Sequence, residues 1–186
     1  MKQTFIEFLQ QYTSAEDAEH IAAQADIIDL PTRHVLIHQG DMAEHMYFVV
    51  DGLCHACYLT PEGKQFSKEF YWEKDCIIGF EGLVKQQPSP YLLESLTPTI
   101  LLSLPITLLQ QWREEQHPLY FQLLETQLMY KENKERFMLL HSPEERYQLF
   151  CQSFPDLETR LADYQIASYL GITSISLSRI KKRLED

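Results

Sequence analysis

The sequence predicts an α+β chain: a β domain first, then a long helix, then a helical unit at the C-terminus. Three observations carry this. Between Asp26 and Pro105, short β-rich runs recur at intervals of roughly ten residues, with turn signals between them, the pattern of a β-sandwich or barrel. After Pro118, no Gly or Pro interrupts a helical pattern that lasts to His141. From Leu161 to Asp186, two short amphipathic segments flank Gly171-Ile172-Thr173, the layout of a helix-turn-helix.

Residues 3–12 and 15–25 read as two short helices. Phe5, Phe8 and Leu9 fall at helical spacing, and Ser14 is an N-cap with Asp17 three residues on. Both are expected to pack on the β domain as a structural lid. His34 to Ile37 is β-branched and ends at Gln39-Gly40-Asp41. Met46 to Val50 is apolar throughout, the mark of a buried strand, and Asp51-Gly52 predicts a hairpin into the strand Leu53 to Thr60. After the turn Pro61-Glu62-Gly63-Lys64, Gln65 to Tyr71 pairs back. Glu73-Lys74-Asp75 is a further turn, and strands at Tyr91 to Leu96 and Thr99 to Leu104 surround Thr97-Pro98.

Thr107 to Gln116 reads as a short helix. Pro118 then opens a long one, where its missing N–H costs no hydrogen bond. Leu119, Tyr120, Phe121, Leu123, Leu124, Leu128 and Met129 point to several sides of it. One face is expected to meet the β domain and another a second copy. Ser142-Pro143-Glu144-Glu145 is a capping box with Pro at N1, so a fresh helix starts there and His141 is a hinge. That helix is expected to run to about Ser153 and to end at Phe154-Pro155-Asp156-Leu157.

In the last stretch, Gly171 stands where a helix stops with φ > 0, and Thr173 caps the next helix. Leu177, Ile180 and Leu184 share one face; Ser174, Ile175, Ser178, Arg179 and Lys182 share the other. A surface helical hairpin is the bland explanation of such a pair. Against it stand the capped turn and the outward charge of Arg179, Lys181, Lys182 and Arg183 in an acidic chain. Formal net charge is −11; residues 174–186 hold four Lys/Arg and two Asp/Glu, so the other 173 residues carry −13. An acidic body disfavours nonspecific coating of nucleic acid, while screening beyond about 10 Å lets the basic tip act locally. The pattern points to double-stranded DNA, contacted through Thr173, Ser174, Ile175, Ser176, Ser178, Arg179 and Lys182.

Other classes find little support. The longest apolar run, Ile100 to Leu109, is broken by Ser103 and Pro105, and a membrane span needs ~20 residues. The N-terminus lacks the apolar core and cleavage site of a signal peptide, so a cytoplasmic protein is expected. Cys54-His55-Ala56-Cys57 matches CxxC, but on a strand residues three apart face opposite ways, and no second pair follows. No metal and no cofactor are expected, and Cys54, Cys57, Cys76 and Cys151 read as free thiols. His-x-His, G-x-S-x-G and P-loop motifs are all missing, so no enzyme is expected.

This order of parts resembles the Crp–Fnr family of bacterial transcription regulators over nearly the whole chain. The resemblance is carried by Gly40-Asp41, Tyr47 to Gly52, Ile78-Gly79 and Ile166 to Leu184. Within the last, Ala167 to Thr173 and Leu177-Ser178-Arg179-Ile180 are similar to the family's DNA-binding signature. It implies a double-stranded β-helix (the cyclic-nucleotide-binding-like β-roll) with N-terminal helices over residues 1–116, a dimerisation helix over 117–141 and a helix-turn-helix domain over 142–186. It also implies a homodimer on a palindromic site, and an effector pocket at Gly79, Phe80, Glu81, Gly82, Ser89, Pro90 and Tyr91.

The departures carry information too. Cyclic-nucleotide sensors of the family place a carboxylate directly after the pocket glycine and an Arg about eleven residues beyond it. Here Phe80 follows Gly79, Glu81 is displaced by one, and Pro90 stands near the Arg position. Cyclic AMP is therefore not the expected effector; an unidentified small molecule, or none, is. No Cys precedes Cys54, so no N-terminal iron–sulfur cluster is expected, nor haem on His34, His38, His45 or His55. The family's best-known reader has Arg and Glu at the first two recognition positions, here Ser174 and Ile175; Arg179 keeps the third and is the main base reader. The sequence ends at Asp186, where the family adds a β-hairpin wing, so fewer backbone contacts are expected. The alternative is a small-molecule or protein-binding β-roll module with a vestigial DNA-binding domain.

Overall fold

The computed structural model describes residues 1–185; Asp186, the last residue of the expected helix-turn-helix stretch, lies outside the described residues. The chain opens with α1 (Lys2–Leu9) and α2 (Ala15–Ala23). Strands β1 (Asp26–Leu30), β2 (Val35–Ile37), β3 (His45–Asp51), β4 (Cys54–Leu59), β5 (Gln65–Tyr71) and β6 (Cys76–Ile77) follow. Then come α3 (Phe80–Lys85), β7 (Leu92–Ser95), β8 (Thr99–Pro105), α4 (Ile106–Glu114) and α5 (Pro118–Leu140). The C-terminal helices are α6 (Pro143–Ser153), α7 (Pro155–Arg160), α8 (Asp163–Tyr169) and α9 (Ser174–Glu185). The class is α+β, as expected.

The strands form two antiparallel sheets of four, ordered β1-β8-β3-β6 and β2-β7-β4-β5. Their facing sides bury Leu30, Tyr47, Val49, Cys54, Ala56, Tyr71, Leu93 and Leu101. On β3 the alternate residues Met46 and Phe48 face the other way, into a second core with Phe5, Leu9, Ile21, Leu109, Trp112 and Leu119. Both faces of β3 are covered, which is why its sequence is apolar without alternation. The N-terminal helices act as the lid: Phe5 and Phe8 lie 4.8 and 5.3 Å, ring to ring, from Phe48.

One turn departs from expectation. Asp51-Gly52 does not close a hairpin, because β3 and β4 belong to different sheets. Gly52 has φ +103°, and a Cβ there would lie 2.5 Å from Thr99 Oγ1 and 2.6 Å from the Pro98 carbonyl oxygen. The turn is a crossing between sheets, pressed against the Thr97-Pro98 crossing that takes β7 into β8. A local turn signal fixes a chain reversal but not which strands pair across it. The other turns hold: β4 and β5 pair across Pro61 to Lys64.

Among the helices, Ser14 accepts from the Asp17 N–H at 3.1 Å, and Ser142 and Glu145 form the capping box of α6. His141 is extended, with φ −112° and ψ 139°, and separates α5 from α6. Pro155 does not simply end α6: it sits at the start of α7, where proline is tolerated as readily as at α5 or α6. The third core gathers Tyr147, Phe150, Leu157, Leu161, Ile166, Leu170, Leu177 and Ile180 with Leu53 and Phe70 of the β domain. Leu184 departs from the expected buried seam; it is 41 % exposed, because the neighbours that cover Leu177 and Ile180 do not reach the last turn of α9. Among the described residues no helix is long and apolar enough to cross a membrane.

Candidate functional site

The turn between α8 and α9 is built as its residues require. Gly171 has φ +69°, and the Ile172 N–H donates back to the Ala167 carbonyl at 2.9 Å. Thr173 Oγ1 accepts from the Ser176 N–H at 3.1 Å and lies 2.9 Å from Ser176 Oγ. With Leu177 and Ile180 anchored beneath, Thr173, Ser174, Ile175, Ser178, Arg179 and Lys182 face solvent together. Ser176 is half-buried, its hydroxyl engaged with Thr173 in the cap. The outward basic cluster is narrower than four residues. Lys181 is turned back onto Asp163 at 2.7 Å, and Arg183 pairs with Glu144 at 2.9 Å. Among the described residues no ion pair holds Arg179 or Lys182. A shallow groove of about 630 Å³ runs beside them, between α9 and Pro143.

This unit is docked on the β domain. The Ser67 N–H of β5 donates to Ser168 Oγ of α8 at 2.9 Å. Tyr130 and Tyr169 join hydroxyls at 3.0 Å, and the Lys134 ammonium lies 3.9 Å above the Tyr169 ring while donating to the Lys68 carbonyl. Burial pulls the Lys134 pKa down to about 8. Arg160 of α7 grips Glu73 with two bonds, of 2.9 and 3.0 Å, and Glu73 also accepts from the Gly52 N–H. Burial works against the Glu73 charge, but Arg160 and Gly52 hold its carboxyl below the ordinary range.

The residues expected to form an effector pocket divide. Gly79, Phe80, Glu81 and Tyr91 line a cavity of only about 80 Å³, together with Tyr58, Lys68, Ile78, Gln127 and Lys131. Gly82, Ser89 and Pro90 do not line it. Ser89 is a brace: its hydroxyl donates to the Tyr91 carbonyl at 2.7 Å, and its backbone bonds the Gly40-Asp41 turn. Sites for drug-sized ligands span ~300–1,000 Å³. Here the space is filled by Lys68, whose ammonium lies 4.6 Å from the Tyr91 ring centre and 3.0 Å from Glu69. Glu69 is buried and also accepts from Tyr71 Oη and Gln127 Nε2. Lys68-Glu69, two charges in mid-strand, was the available sequence signal for these residues. A larger cavity, about 300 Å³, opens between α1, the β5–β6 turn and α5, with Tyr12, Asp75, Thr126 and Tyr130 on its wall.

Comparison with known proteins agrees with this architecture. Residues 27–116 match the family model described as the cyclic nucleotide-binding domain. FixK2 of Bradyrhizobium japonicum has a similar structure, with a TM-score of 0.75 at 17 % identity, over 87 % of this chain and 84 % of that one. The c-di-GMP-responsive global regulator CLP of Xanthomonas campestris follows at 0.71 and 17 %, over 92 % of each chain. The catabolite activator protein of Thermus thermophilus gives 0.56 at 18 %, over 96 % of this chain and 86 % of that one. No curated protein matches the sequence. Residues 27–116 thus match the cyclic nucleotide-binding domain, and the chain as a whole shares the fold of these regulators.

Proposed function

We propose that the protein is a cytoplasmic transcription regulator of the Crp–Fnr type, without enzymatic activity, that binds a palindromic DNA site as a homodimer. Its divisions are a β-roll sensor over residues 1–116, a dimerisation helix over 117–141 and a DNA-binding unit over 142–186. The observation that carries this is the row Ser174, Ile175, Ser178, Arg179 and Lys182, facing solvent from a capped and anchored helix in a chain of charge −11. Thr173 and Ser176 fix the start of that helix. Arg179 reads a base edge, and Lys182 meets phosphate.

The Gly79–Tyr91 cavity supports control by something other than cyclic AMP, since a nucleotide would have to displace Lys68 from Tyr91. Gly79, Phe80, Glu81 and Tyr91 remain the walls of an entry for an unidentified small effector, with Gly82, Ser89 and Pro90 shaping the loop behind them. The test is a gel shift of genomic fragments across a salt series. A retarded, sequence-selective complex that weakens steeply with salt is expected. The lack of any shift at low salt, with or without cell metabolites, would leave the β-roll binding module with a vestigial DNA-binding domain as the better account.

A further inference from the structure

His55 and Cys57 lie two residues apart on β4 and therefore on the same face of the strand. The β4–β7 register sets Glu94 directly opposite His55. A register shift in the pairing with β5 falls between Ala56 and Cys57, the kind of irregularity that re-aims a side chain. The result is an imidazole nitrogen, a thiol sulfur and a carboxylate oxygen within 4.8 Å of one another. They occupy the outer face of the β2-β7-β4-β5 sheet, whereas Cys54, the other cysteine of the CxxC, belongs to the core between the sheets. His55 is 4 % exposed and Cys57 0 %, while the Glu94 side chain is 21 % exposed, leaving one edge by which an ion enters.

We propose that His55, Cys57 and Glu94 form a binding site for a divalent transition-metal ion, with zinc the best match to the donor set. A tetrahedral zinc with Zn–N of about 2.0–2.1 Å and Zn–S of about 2.3 Å holds its donors about 3.5 Å apart. His55 Nδ1 and Glu94 Oε1 already stand 3.4 Å apart. With all three donor atoms within 4.8 Å of one another, the thiol has at most about 1.3 Å to close. The far ring nitrogen, His55 Nε2, is held by Ser67 Oγ at 2.9 Å, the outer-shell bond that fixes a ligating imidazole. Phe70 stacks on the same ring at 4.8 Å and limits its rotation. Three protein ligands leave the fourth position for water.

The mixed nitrogen, sulfur and oxygen set suits borderline ions such as zinc and cobalt rather than magnesium or calcium. On binding, metal–nitrogen, metal–sulfur and metal–oxygen bonds form. The Cys57 thiol proton, and the Nδ1 proton shared with Glu94 where it is present, pass to buffer. Ser67 also donates its N–H to Ser168 of α8, so the site lies one residue from the docked helical unit.

The full chain, stripped with chelator, is titrated with cobalt(II). Saturation at one equivalent is expected, with a near-ultraviolet thiolate-to-cobalt charge-transfer band and visible bands of four-coordinate cobalt, both displaced by zinc. Cys57→Ser removes the charge-transfer band, Glu94→Gln and Ser67→Ala weaken binding by about 10-fold or more, and Cys54→Ser leaves the spectrum unchanged. No charge-transfer band in the wild-type chain at stoichiometric cobalt overturns the site, independently of whether any variant folds. So does a band that survives Cys57→Ser or disappears in Cys54→Ser.

Discussion

At the scale of single residues, the DNA-binding proposal gives Arg179 and Lys182, both exposed cations on one face of α9, separable roles. Arg179→Ala should weaken specific binding by about 1–3 kcal/mol and relax preference at one base pair, since Arg presents two donors to guanine O6 and N7. Lys182→Ala should weaken all sequences alike and flatten the salt slope by about one charge. Binding isotherms on matched and scrambled sites distinguish them, and an equal, sequence-independent loss in both would remove base reading from Arg179. Asp75 offers a prediction about stability. Burial, offset in part by the Trp72 N–H at 3.0 Å and reinforced by Glu69 and Glu73, pushes its carboxyl up from 3.8 to about 6. A carboxyl raised in the fold favours folding while protonated. Its contribution is full below about pH 4, the unfolded value, and is lost as pH rises through about 6. Asp75→Asn keeps the acceptor without the charge. It should stabilise the protein at neutral pH by up to about 3 kcal/mol and by little below about pH 4, read from urea unfolding at both values.

At the scale of elements, the turns show what a sequence can and cannot specify. Gly171 and Gly52 both have positive φ, yet their surroundings differ. A Cβ at Gly171 meets Met138 Cε at 2.9 Å, the far end of a flexible side chain, whereas one at Gly52 meets backbone of the Thr97–Thr99 segment. Gly52→Ala should therefore cost about 3 kcal/mol or more, from backbone strain plus overpacking, and Gly171→Ala clearly less. Thermal unfolding of the two variants side by side measures the difference. The same contrast explains the legibility of the fold. Helices announced themselves through local features: the caps at Ser14, Ser142 and Thr173, Pro118 at N1, and the spacing of Leu177 and Ile180. Strand identity was also largely local, although β1 and the two-residue β6 went unread, but pairing was not, so Asp51-Gly52 looked like a hairpin when the chain was crossing between sheets. The short α3 and α7 were missed because six residues are too few to display a helical period. The exposed row on α9 was legible from periodicity alone. The turning of Lys181 to Asp163 and Arg183 to Glu144 was not, since each partner lies on a different helix. The His55–Cys57–Glu94 cluster escaped because only two of its members are neighbours in sequence, and the third arrives through the β4–β7 register.

At the scale of the whole molecule, α5 is the element whose surface is least accounted for by a single chain. Leu119, Tyr120 and Leu123 are buried at its start, but Phe121, Leu128, Met129 and Leu139 are exposed, Leu139 by 74 %. Phe121 and Leu128 are seven residues apart, and so are Glu132 and Leu139, so all four lie along one stripe of a helix paired at a 3.5-residue repeat. Pairing about a two-fold axis would set Leu128 against its counterpart and bury that stripe. The same stripe carries Glu125, Glu132 and Glu135, and like charges brought together by symmetry repel. The expected dimer is thus held by apolar contact against a carboxylate penalty, and it should tighten with added salt as screening reduces the repulsion. Sedimentation equilibrium should find the wild-type chain dimeric, Leu128→Glu shifted to monomer, and Glu132→Gln more tightly dimeric at low salt. In the proposed DNA-bound dimer each subunit presents one α9 to one half-site, so Leu128→Glu should also lose the cooperative shift on a palindrome while keeping weak binding to a single half-site. A wild-type chain that sediments as a monomer, or a dimer indifferent to Leu128→Glu, would place the second copy elsewhere than along α5.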